Sequence, residues 1–573
     1  MVPLARRRDR RRAGVSSSAA PALTAVDAIR ARLSRAVELL TTVRPAFVLG
    51  TLVAAQWLAL LALAVTVKHN GWLYYAGGDQ LWHYSGAYLL GHGHLPPAYV
   101  GYGWSTMLAP VSWFAGASLV SALPAIVVLN TVILMPVALL CVYGIASRIA
   151  GRLFGYFAAL LWIVVPYLGI VFVEPGYHQK YTEVTLPQAL GLTSVPDFPA
   201  TVALLVCAFF CLRTLESSGW QPAAAAGLAA GWSIAIKPSN SIFLVAPALL
   251  LIVERRRALP VFAAGLAPAL LTLVLWKYRG LGELAAAPAE PVRLASGFGS
   301  LIDRIHSPSL NSWAHLQQSL DALREHFWVA RVIEWLPIAG CIALLARSRR
   351  AFLLVGSWFI VFLLAKGTYI PASIDDASFF RILMPAFPAY LLLGAAIVLL
   401  VPGVRARPVR ASPLLVGRKL SIAFAAAVLV FAALPLGVIA ATPRLHDKGR
   451  LAVRLGNSLV PVSAALGIAA TTDGKVVHLK WRPPAAGRAS VFYRVLRTKG
   501  TAGGAACAGR LRNSSDNCEL YMDDVGSVRA PAFDDRPGAG SWSYRIGLAA
   551  NWLNDTRLGD VYVVSPPVAV TVP

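Results

Sequence analysis

Eleven long apolar segments constrain the fold of this chain more than any other feature. They are residues 46–68, 122–146, 153–173, 198–214, 223–237, 239–253, 259–276, 327–346, 351–366, 379–401 and 421–442. Runs of this kind are typical of helices that cross the hydrocarbon core of a bilayer. Hydrophobic residues make up 57% of the 573 residues and charged residues only 14%, which is more apolar surface than a soluble core could bury. The sequence therefore predicts a polytopic α-helical membrane protein with about 11 transmembrane helices.

The distribution of charge predicts the orientation of these segments. If residues 223–253 cross the membrane twice, with Lys237 and Pro238 at the turn, the loops on the side of the N-terminus carry 24 Lys and Arg against 5 Asp and Glu. The loops on the opposite side then carry 6 against 11. A single crossing would place the later arginine-rich loops outside, which the positive-inside rule disfavours. We therefore expect a multi-pass protein with its N-terminus in the cytoplasm and its C-terminus outside.

The basic N-terminal segment, residues 1–45, agrees with this orientation. Residues 24–45 place apolar positions at helical spacing between arginines, as in a helix that lies on an anionic inner leaflet. A solvated basic tail is the simpler alternative. The net charge of +25 is concentrated in short loops between apolar segments, so membrane lipids are expected as partners and nucleic acid is not. The transmembrane domain is predicted over 46–445, with its first external loop at 69–121.

The composition changes after Ala441, where a second domain is predicted. Alternating apolar and polar residues indicate four strands, at 475–481, 490–497, 541–550 and 561–572. Short strands over residues 463–573 are typical of one antiparallel all-β sandwich, placed outside by the predicted topology. Cys507 and Cys518 also lie here, and they form either a disulfide, which requires an oxidising compartment, or two unpaired thiols.

The first external loop contains a single carboxylate, Asp79, which is the only acid between Glu38 and Glu174. Asp79 could cap a short helix over 80–91 by accepting hydrogen bonds from exposed backbone N–H groups. It could equally act as a general base or a metal ligand at the membrane surface. The sequence leaves both roles open, and one residue can serve both.

Aromatic residues and histidines surround Asp79 in the same loop. Among them, His83, Trp82, Tyr102 and Trp104 are candidates for contact with a sugar or a lipid. An interfacial belt of aromatic side chains explains most of these rings without a ligand. The histidines have no spacing that is typical of a metal site, so His83 is interpreted as a substrate contact rather than a metal ligand.

A second polar cluster follows the third apolar segment. Glu174 comes directly after that segment, and His178 and Lys180 follow it within one short stretch. An ion pair between Glu174 and Lys180 is the simplest interpretation. Together the three residues could instead complete a substrate pocket with Asp79, with Glu174 as a second carboxylate.

Cations near the outer membrane boundary form a third set of candidates. Lys237 and Arg381 are predicted at that depth, and Lys366 is a further candidate. Cations at a membrane boundary are unfavourable unless they are paired or used, which favours a functional role. The phosphate of a lipid carrier is a suitable partner, through point-charge or bidentate contacts. Snorkelling to headgroups is the alternative, and Arg381 could also pair with the nearby Asp375 or Asp376.

Four stretches carry a resemblance to a known family. They are the acid after the first span, GYGW-x4-AP at 101–110, GLAAGWSIAIKPSN at 227–240 and R-x3-PAFPAYLLL at 381–393. Together they resemble the GT-C superfamily of polyprenyl-phosphate-dependent glycosyltransferases. The resemblance covers roughly residues 46–401, and the mannosyl- and aminoarabinosyltransferases are the relatives that it suggests. The C-terminal domain resembles fibronectin type III, through Trp481, Tyr493 and Tyr544 on successive strands.

The resemblance implies an enzyme that takes a sugar from a polyprenyl-phosphate donor and transfers it to a cell-envelope glycan, lipid or protein on the external face. In this superfamily an acid of the first external loop acts as base on the acceptor hydroxyl or helps to hold a divalent metal, and Asp79 matches that position. Gly78 and Gln80 stand where a pair of adjacent acids is frequent, so no cofactor is certain and a metal stays open. Lys237 matches a position near the donor phosphate.

Other classes of function remain open at this stage. They are a transporter of lipid-linked oligosaccharides, a non-catalytic membrane receptor that displays the sandwich, and a polysaccharide polymerase or ligase. A transporter predicts repeated halves and charges along a central path, whereas the charged candidates here gather on one side and no repeat is visible. The Arg-, Ala- and Gly-rich composition is typical of a bacterial chain, which suggests the bacterial plasma membrane.

Overall fold

The structure, a computed structural model, shows a mainly helical chain with a smaller β region towards the C-terminus. It describes residues 38, 40–66, 79–96, 98, 100–116, 119–178, 181–182, 185–281, 311–370, 372–375, 378–402, 408–409, 418–443, 467–482, 491–501, 523–550 and 560–573. Most of the predicted interfacial helix at 24–45, together with Lys180, Asp376, Cys507 and Cys518, lies outside these residues, as does the side chain of Asp79.

Seven helical stretches in the described part of the chain are long and apolar enough to cross a bilayer, so the chain is a membrane protein. They are Pro45–Ala64, Ala122–Ala150, Arg152–Phe172, Asp197–Glu216, Pro238–Gly280, Ser378–Leu400 and Ser421–Ala441. The stretch Pro238–Gly280 contains two of the segments that the sequence separates. The finer prediction of eleven crossings stays a prediction.

The helices of the first half include two that the sequence places in the first external loop. Their bounds are α1 Pro45–Thr66, α2 Asp79–Gly91, α3 Tyr102–Ala115, α4 Leu119–Val128, α5 Met135–Ala150, α6 Arg152–Phe172, α7 Pro187–Leu190, α8 Asp197–Glu216, α9 Gln221–Ile236, α10 Val245–Arg255 and α11 Leu259–Leu281. A π-helical segment, Leu129–Leu134, joins α4 to α5, and a 3-10 segment, Pro238–Leu244, precedes α10. Only α2 was expected in the loop, and α3 is an addition.

The helices of the second half are interrupted by short π and 3-10 segments. Their bounds are α12 Trp313–His326, α13 Ala330–Arg347, α14 Arg349–Ala351, α15 Ser357–Lys366, α16 Ser378–Leu383, α17 Phe387–Ala396, α18 Arg418–Val428 and α19 Leu434–Ala441. Prolines follow several of these breaks, as at Pro385, because proline cannot donate the backbone hydrogen bond that continues a helix.

The chain reverses direction at Lys237, between α9 and α10. At this point Lys237 forms an ion pair with Asp197, the first residue of α8. At the other end of α10, Arg255 donates to the backbone oxygen atoms of Thr214 and Ser217 at the end of α8. Because α8 and α10 are in contact at both ends in the same order, α10 runs parallel to α8. The segment 223–253 therefore folds back on itself, as expected from the charge distribution.

Glycine residues allow the first loop to pack directly on the end of α9. A Cβ on Gly101 would lie 2.2 Å from the backbone oxygen of Ala235, and one on Gly103 would lie 2.8 Å from the backbone nitrogen of Ile236. Such distances are shorter than real Cβ contacts. The GYGW stretch therefore approaches the backbone of α9 more closely than any larger residue permits.

The C-terminal β region consists of two antiparallel sheets. Its strands are β1 Ala469–Thr472, β2 Val477–Lys480, β3 Val491–Lys499, β4 Asp523–Val528, β5 Ala532–Asp535, β6 Gly540–Ala550, β7 Asp560–Val564 and β8 Val568–Val572. One sheet has the order β1-β2-β5, and the other has the order β4-β3-β6-β7, with β8 also paired to β6. The predicted strand at 561–572 is thus two strands, divided at Pro566 and Pro567, which cannot donate to a ladder.

One apolar core joins the two sheets. Trp481 packs edge-on against Tyr493 of the other sheet, with ring centroids 5.2 Å apart. Polar contacts also cross between them, since Asp535 of β5 accepts from Arg497 of β3 at 3.0 Å and from the Tyr544 hydroxyl of β6 at 2.7 Å. Burial raises the pKa of the Tyr544 phenol above its ordinary value, and the hydrogen bond to Asp535 acts in the same direction.

Candidate functional site

A buried carboxylate, Asp197, lies at the centre of the candidate site. Its side chain is fully buried, and its two oxygen atoms are bound by two cations. Lys237 Nζ donates to Oδ1, and Arg381 Nε donates to Oδ2 at 3.2 Å. A buried carboxylate is tolerated only when it is paired and hydrogen-bonded, and both requirements are met here by residues far apart in the sequence.

The end of α9 positions Lys237. Its backbone N–H donates to Ser233 O at 2.8 Å, and the following proline prevents the helix from continuing. Ser233 Oγ donates to Ala200 O of α8 at 2.9 Å and accepts from Asn240 Nδ2 at 2.9 Å. These bonds fix the α9–α10 turn against the first turn of α8, which is why the lysine meets Asp197.

Arg381 reaches the same carboxylate from the short helix α16. Ser373 N donates to Ser378 Oγ at 2.9 Å, which fixes the start of α16 against the preceding loop, and Phe379 is buried beneath it. Lys366, at the end of α15, lies close enough to interact electrostatically with both Lys237 and Asp197. Two cations therefore contact the carboxylate of Asp197, and a third lies near them.

The cations are more accessible than the acid that they share. The Lys237 side chain is 22% exposed and that of Arg381 is 18% exposed, whereas Asp197 has no exposed surface. Part of each cation therefore remains open to a ligand, while the carboxylate supports them from within. With Lys366, positive charge exceeds negative charge in the cluster, and an anion is the ligand that would balance it.

The segment that precedes Asp197 is held by the first loop. Gln80 Oε1 accepts from Ser194 N at 2.7 Å, and Trp104 Nε1 donates to Ser194 O at 2.7 Å. Asn130 Nδ2 donates to Thr193 O at 3.0 Å. Because Gln80 is the second residue of α2, the start of that helix lies against the segment 193–197. Asp79 is the first residue of α2 and therefore directly precedes the residue that contacts this segment.

The aromatic candidates of the first loop lie largely inside the protein in this structure. Tyr102 and Trp104 are fully buried, and the Tyr102 hydroxyl donates to Ala269 O at 3.4 Å. His83 is 2% exposed, and Trp82 is half-buried. Their burial follows from the close packing of α2 on α3 and of α3 on α9. Tyr102 and Trp104 thus each donate a hydrogen bond to the protein backbone.

The second predicted cluster forms a separate network. Glu174 accepts from His326 Nδ1 at 2.7 Å, and Asp375 contacts His326 Nε2 at 3.3 Å. The imidazole also stacks on Tyr177, with centroids 4.4 Å apart. His178 is exposed and contacts Val173 O at 2.9 Å. Glu174 thus has a histidine partner, and the predicted pair with Lys180 lies outside the described residues.

Of the two alternative partners for Arg381, Asp376 lies outside the described residues and Asp375 has another contact. Arg381 instead contacts Asp197, and Asp375 lies 3.3 Å from His326. The sequence offered one signal that would have found Asp197. It is an acid at the start of an apolar segment, and such an acid is as unfavourable at a membrane boundary as the two cations that were noticed.

Among the described residues, no group of three or more His, Cys, Asp and Glu side chains could hold a metal ion. This finding does not extend to Asp79, whose side chain lies outside the described part. Within that part, the cluster around Asp197 contains one acid and several cations. Cationic hydrogen-bond donors suit an anionic ligand rather than a metal ion.

No family model and no curated protein matches the chain. Among solved structures, it aligns with the apo oligosaccharyltransferase of Archaeoglobus fulgidus at 13% identity and a TM-score of 0.36. A second alignment is with the oligosaccharyltransferase AglB of the same organism in complex with an inhibitory peptide and a dolichol-phosphate, at 12% identity and a TM-score of 0.36. Each alignment covers 71% of this chain and 57% of the other, so the chain spans little more than half the length of these proteins.

Proposed function

We propose that this protein is a membrane glycosyltransferase of the GT-C type, which moves a sugar from a polyprenyl-phosphate donor to an extracytoplasmic acceptor. The observation that carries the proposal is the cation cluster of Lys237, Arg381 and Lys366 around the buried Asp197. The cluster lies at the ends of apolar helices, where the phosphate of a lipid carrier would be found if its chain were in the bilayer.

The proposed role of the cluster is to bind the donor phosphate and to stabilise it as the leaving group. Arg381 and Lys237 each direct one donor to Asp197, so the carboxylate fixes their orientation before a ligand arrives. Preorganised cations aimed at a developing negative charge are among the largest contributions to catalysis. Phosphate is a good leaving group, so binding and charge stabilisation are sufficient on this side of the reaction.

Asp79 is proposed as the general base that accepts the proton of the acceptor hydroxyl. Support comes from the position of α2, which begins at Asp79 and is tied through Gln80 to Ser194, three residues before Asp197. A base and a phosphate site on neighbouring segments are what an inverting single displacement requires. A divalent metal held by Asp79 is the alternative role, and a chelator distinguishes the two.

Three of the four stretches that carry the sequence resemblance lie at or next to this cluster. GYGW packs on the end of α9 through Gly101 and Gly103, the GWSIAIKPSN stretch supplies Lys237, and Arg381 opens the third stretch. Their convergence favours a shared function for all three over three separate structural roles. Asp197, Lys237 and Arg381 gather at one end of the helices rather than along a central path, which favours an enzyme over a transporter.

The test uses the purified full-length protein with a panel of polyprenyl-phosphate sugars, and it measures release of polyprenyl phosphate with and without a chelator. At least one donor should be turned over. Lys237→Met should weaken use of that donor while leaving Asp197 paired with Arg381, so the protein should remain folded. Arg331→Gln is the matched control, because Arg331 is 70% exposed and lies outside the cluster.

The outcomes separate the competing functions. Loss of activity in Lys237→Met but not in Arg331→Gln supports the phosphate site. Turnover that stops on chelation assigns a metal to the reaction and favours the metal-ligand role for Asp79. Absence of turnover on every donor contradicts the proposal and favours a receptor or a transporter.

We also propose that the C-terminal β region is a fibronectin type III-like sandwich on the external side. The arrangement in two sheets, the single core and the packing of Trp481 on Tyr493 support this proposal. Its proposed role is to bind acceptor polymer or a protein partner, and a passive spacer is the alternative. Labelling of intact cells with a membrane-impermeant maleimide tests its location: Cys507 and Cys518 should react only after reduction if they are bridged outside.

A further inference from the structure

A basic depression lies at the end of the helices opposite to the ion cluster. It has a volume of about 630 Å³ and is lined by Ile252, Val253, Glu254, Arg255, Arg256 and Arg257. The segment 238–255 begins beside Lys237 and ends here, which at about 1.5–2 Å per residue places the two sites roughly 25–35 Å apart. The depression is therefore separate from the proposed catalytic site.

Some of the charges at this depression are used by the protein itself. Arg255 donates to the backbone oxygen atoms of Thr214 and Ser217 and so fixes the end of α8. Glu254 accepts from Arg350 Nε at 2.7 Å, which ties α14 to α10. These contacts pair Glu254, the one acid among the lining residues, with a cation. They also hold together the helix ends around the depression.

The remaining arginines here are not used in this way. Arg256 and Arg257, in the lining, and Arg349, on the helix that Arg350 ties to α10, are exposed. In the part of the chain that the structure describes, none of their guanidinium groups has a hydrogen-bond or ion-pair partner. Arginines that only add to the excess of positive charge on the inner face need to be exposed, but they do not need to line a depression. Unpartnered arginines in a formed depression, beside others that are paired, indicate a ligand.

An apolar stripe on α10 leads to the depression. Leu249, Ile252 and Val253 are 39%, 54% and 44% exposed, and α10 ends at Arg255, so Arg256 and Arg257 follow directly after this stripe in the chain. The stretch Pro238–Gly280, which contains α10, is long and apolar enough to cross a membrane, so acyl chains can contact its exposed apolar face. An apolar stripe that ends in cations matches the two parts of an anionic phospholipid.

We propose that this depression binds the headgroup of an anionic phospholipid, with Arg256 and Arg257 on its phosphate and the acyl chains along α10. Basic pockets at the ends of membrane helices are suited to such headgroups because their charge adds to the burial of the chains. The orientation expected from the charge distribution places the site on the cytoplasmic leaflet, where anionic lipids are available.

The test measures lipid retention by the purified full-length protein, by native mass spectrometry from a neutral detergent. Phosphatidylglycerol should be retained in preference to phosphatidylcholine. The variant Arg256→Gln/Arg257→Gln should lose roughly 30-fold in that preference, since each basic residue near an anionic surface contributes about fivefold. Arg256→Lys/Arg257→Lys should keep most of it, and Arg331→Gln, at the opposite end of α13, should keep all of it.

Three results would overturn the proposal. One is equal retention of the two lipids by the unaltered protein. Another is an unchanged preference in Arg256→Gln/Arg257→Gln. The third is displacement of the lipid by millimolar inorganic phosphate, which would show that the site recognises a free anion. Because both arginines are exposed, the melting temperature should be the same in all variants, and this measurement separates lost binding from lost folding.

Discussion

Asp197→Asn tests how strongly the cation cluster depends on its buried carboxylate. The substitution keeps the volume of the side chain but removes the charge that Lys237 and Arg381 share. Breaking a buried ion pair from one side costs about 3–5 kcal/mol, because the remaining charges stay buried without compensation. The free energy of unfolding should fall by that amount, which is roughly a 10²- to 10⁴-fold change in the unfolding equilibrium.

Thermal unfolding of the purified full-length protein, followed together with protease resistance, measures this effect. Asp321→Asn is the matched control, since Asp321 is 68% exposed and pairs with Arg324 at the protein surface. An exposed pair of this kind contributes about 0–1 kcal/mol. Added polyprenyl phosphate should stabilise Asp197→Asn more than the unaltered protein, because its anionic group replaces the lost charge. If the two asparagine variants unfold at the same temperature, the cluster does not depend on Asp197.

Further substitutions test the contacts that bring the site together. Gly101→Ala should lower the melting temperature strongly because its Cβ would meet Ala235 O at 2.2 Å, whereas Gly394→Ala, which has open space, should be neutral or stabilising. Gln80→Leu should destabilise the protein by about 1–3 kcal/mol by leaving the buried N–H of Ser194 without an acceptor, and Gln80→Glu, which keeps an acceptor, should recover part of the loss. Asp79→Asn should abolish sugar transfer without changing the melting temperature; full activity in this variant would remove the proposed base.

The sequence predicted the elements that depend on local patterns. Long apolar runs located the helices, and the distribution of charge predicted the reversal at Lys237. The ion pair of Lys237 with Asp197 and the hydrogen bond of Arg255 to Thr214 O show this reversal in the structure. Alternation identified β2, β3, β6 and the run that the structure divides into β7 and β8, but β1, β4 and β5 were missed. β1 and β5 alternate only between exposed and half-buried positions, whereas β2, of the same length, has buried positions on one face.

The ion cluster could be predicted only in part. Lys237 and Arg381 were found because an isolated cation at a membrane boundary is unfavourable. Asp197 was counted only as one of several loop charges, since its burial depends on the closure of α9 and α16 over the start of α8. That closure depends on tertiary contacts, such as the hydrogen bond from Ser233 Oγ to Ala200 O. Such contacts cannot be predicted from the periodicity of the sequence. For the same reason Tyr102 seemed available to a ligand, although it is buried.

Affinity for the carrier lipid tests the central proposal most directly. The full-length protein and Lys237→Met should each be titrated with a polyprenyl phosphate and with the uncharged polyprenol of the same length. The unaltered protein should bind the phosphate more tightly than the alcohol by at least tenfold, because a charge-assisted hydrogen bond contributes about 1.5–3 kcal/mol. Lys237→Met should lose most of that difference while its affinity for the alcohol stays the same. Equal affinity of the unaltered protein for the two lipids would contradict a phosphate site at Lys237 and Arg381.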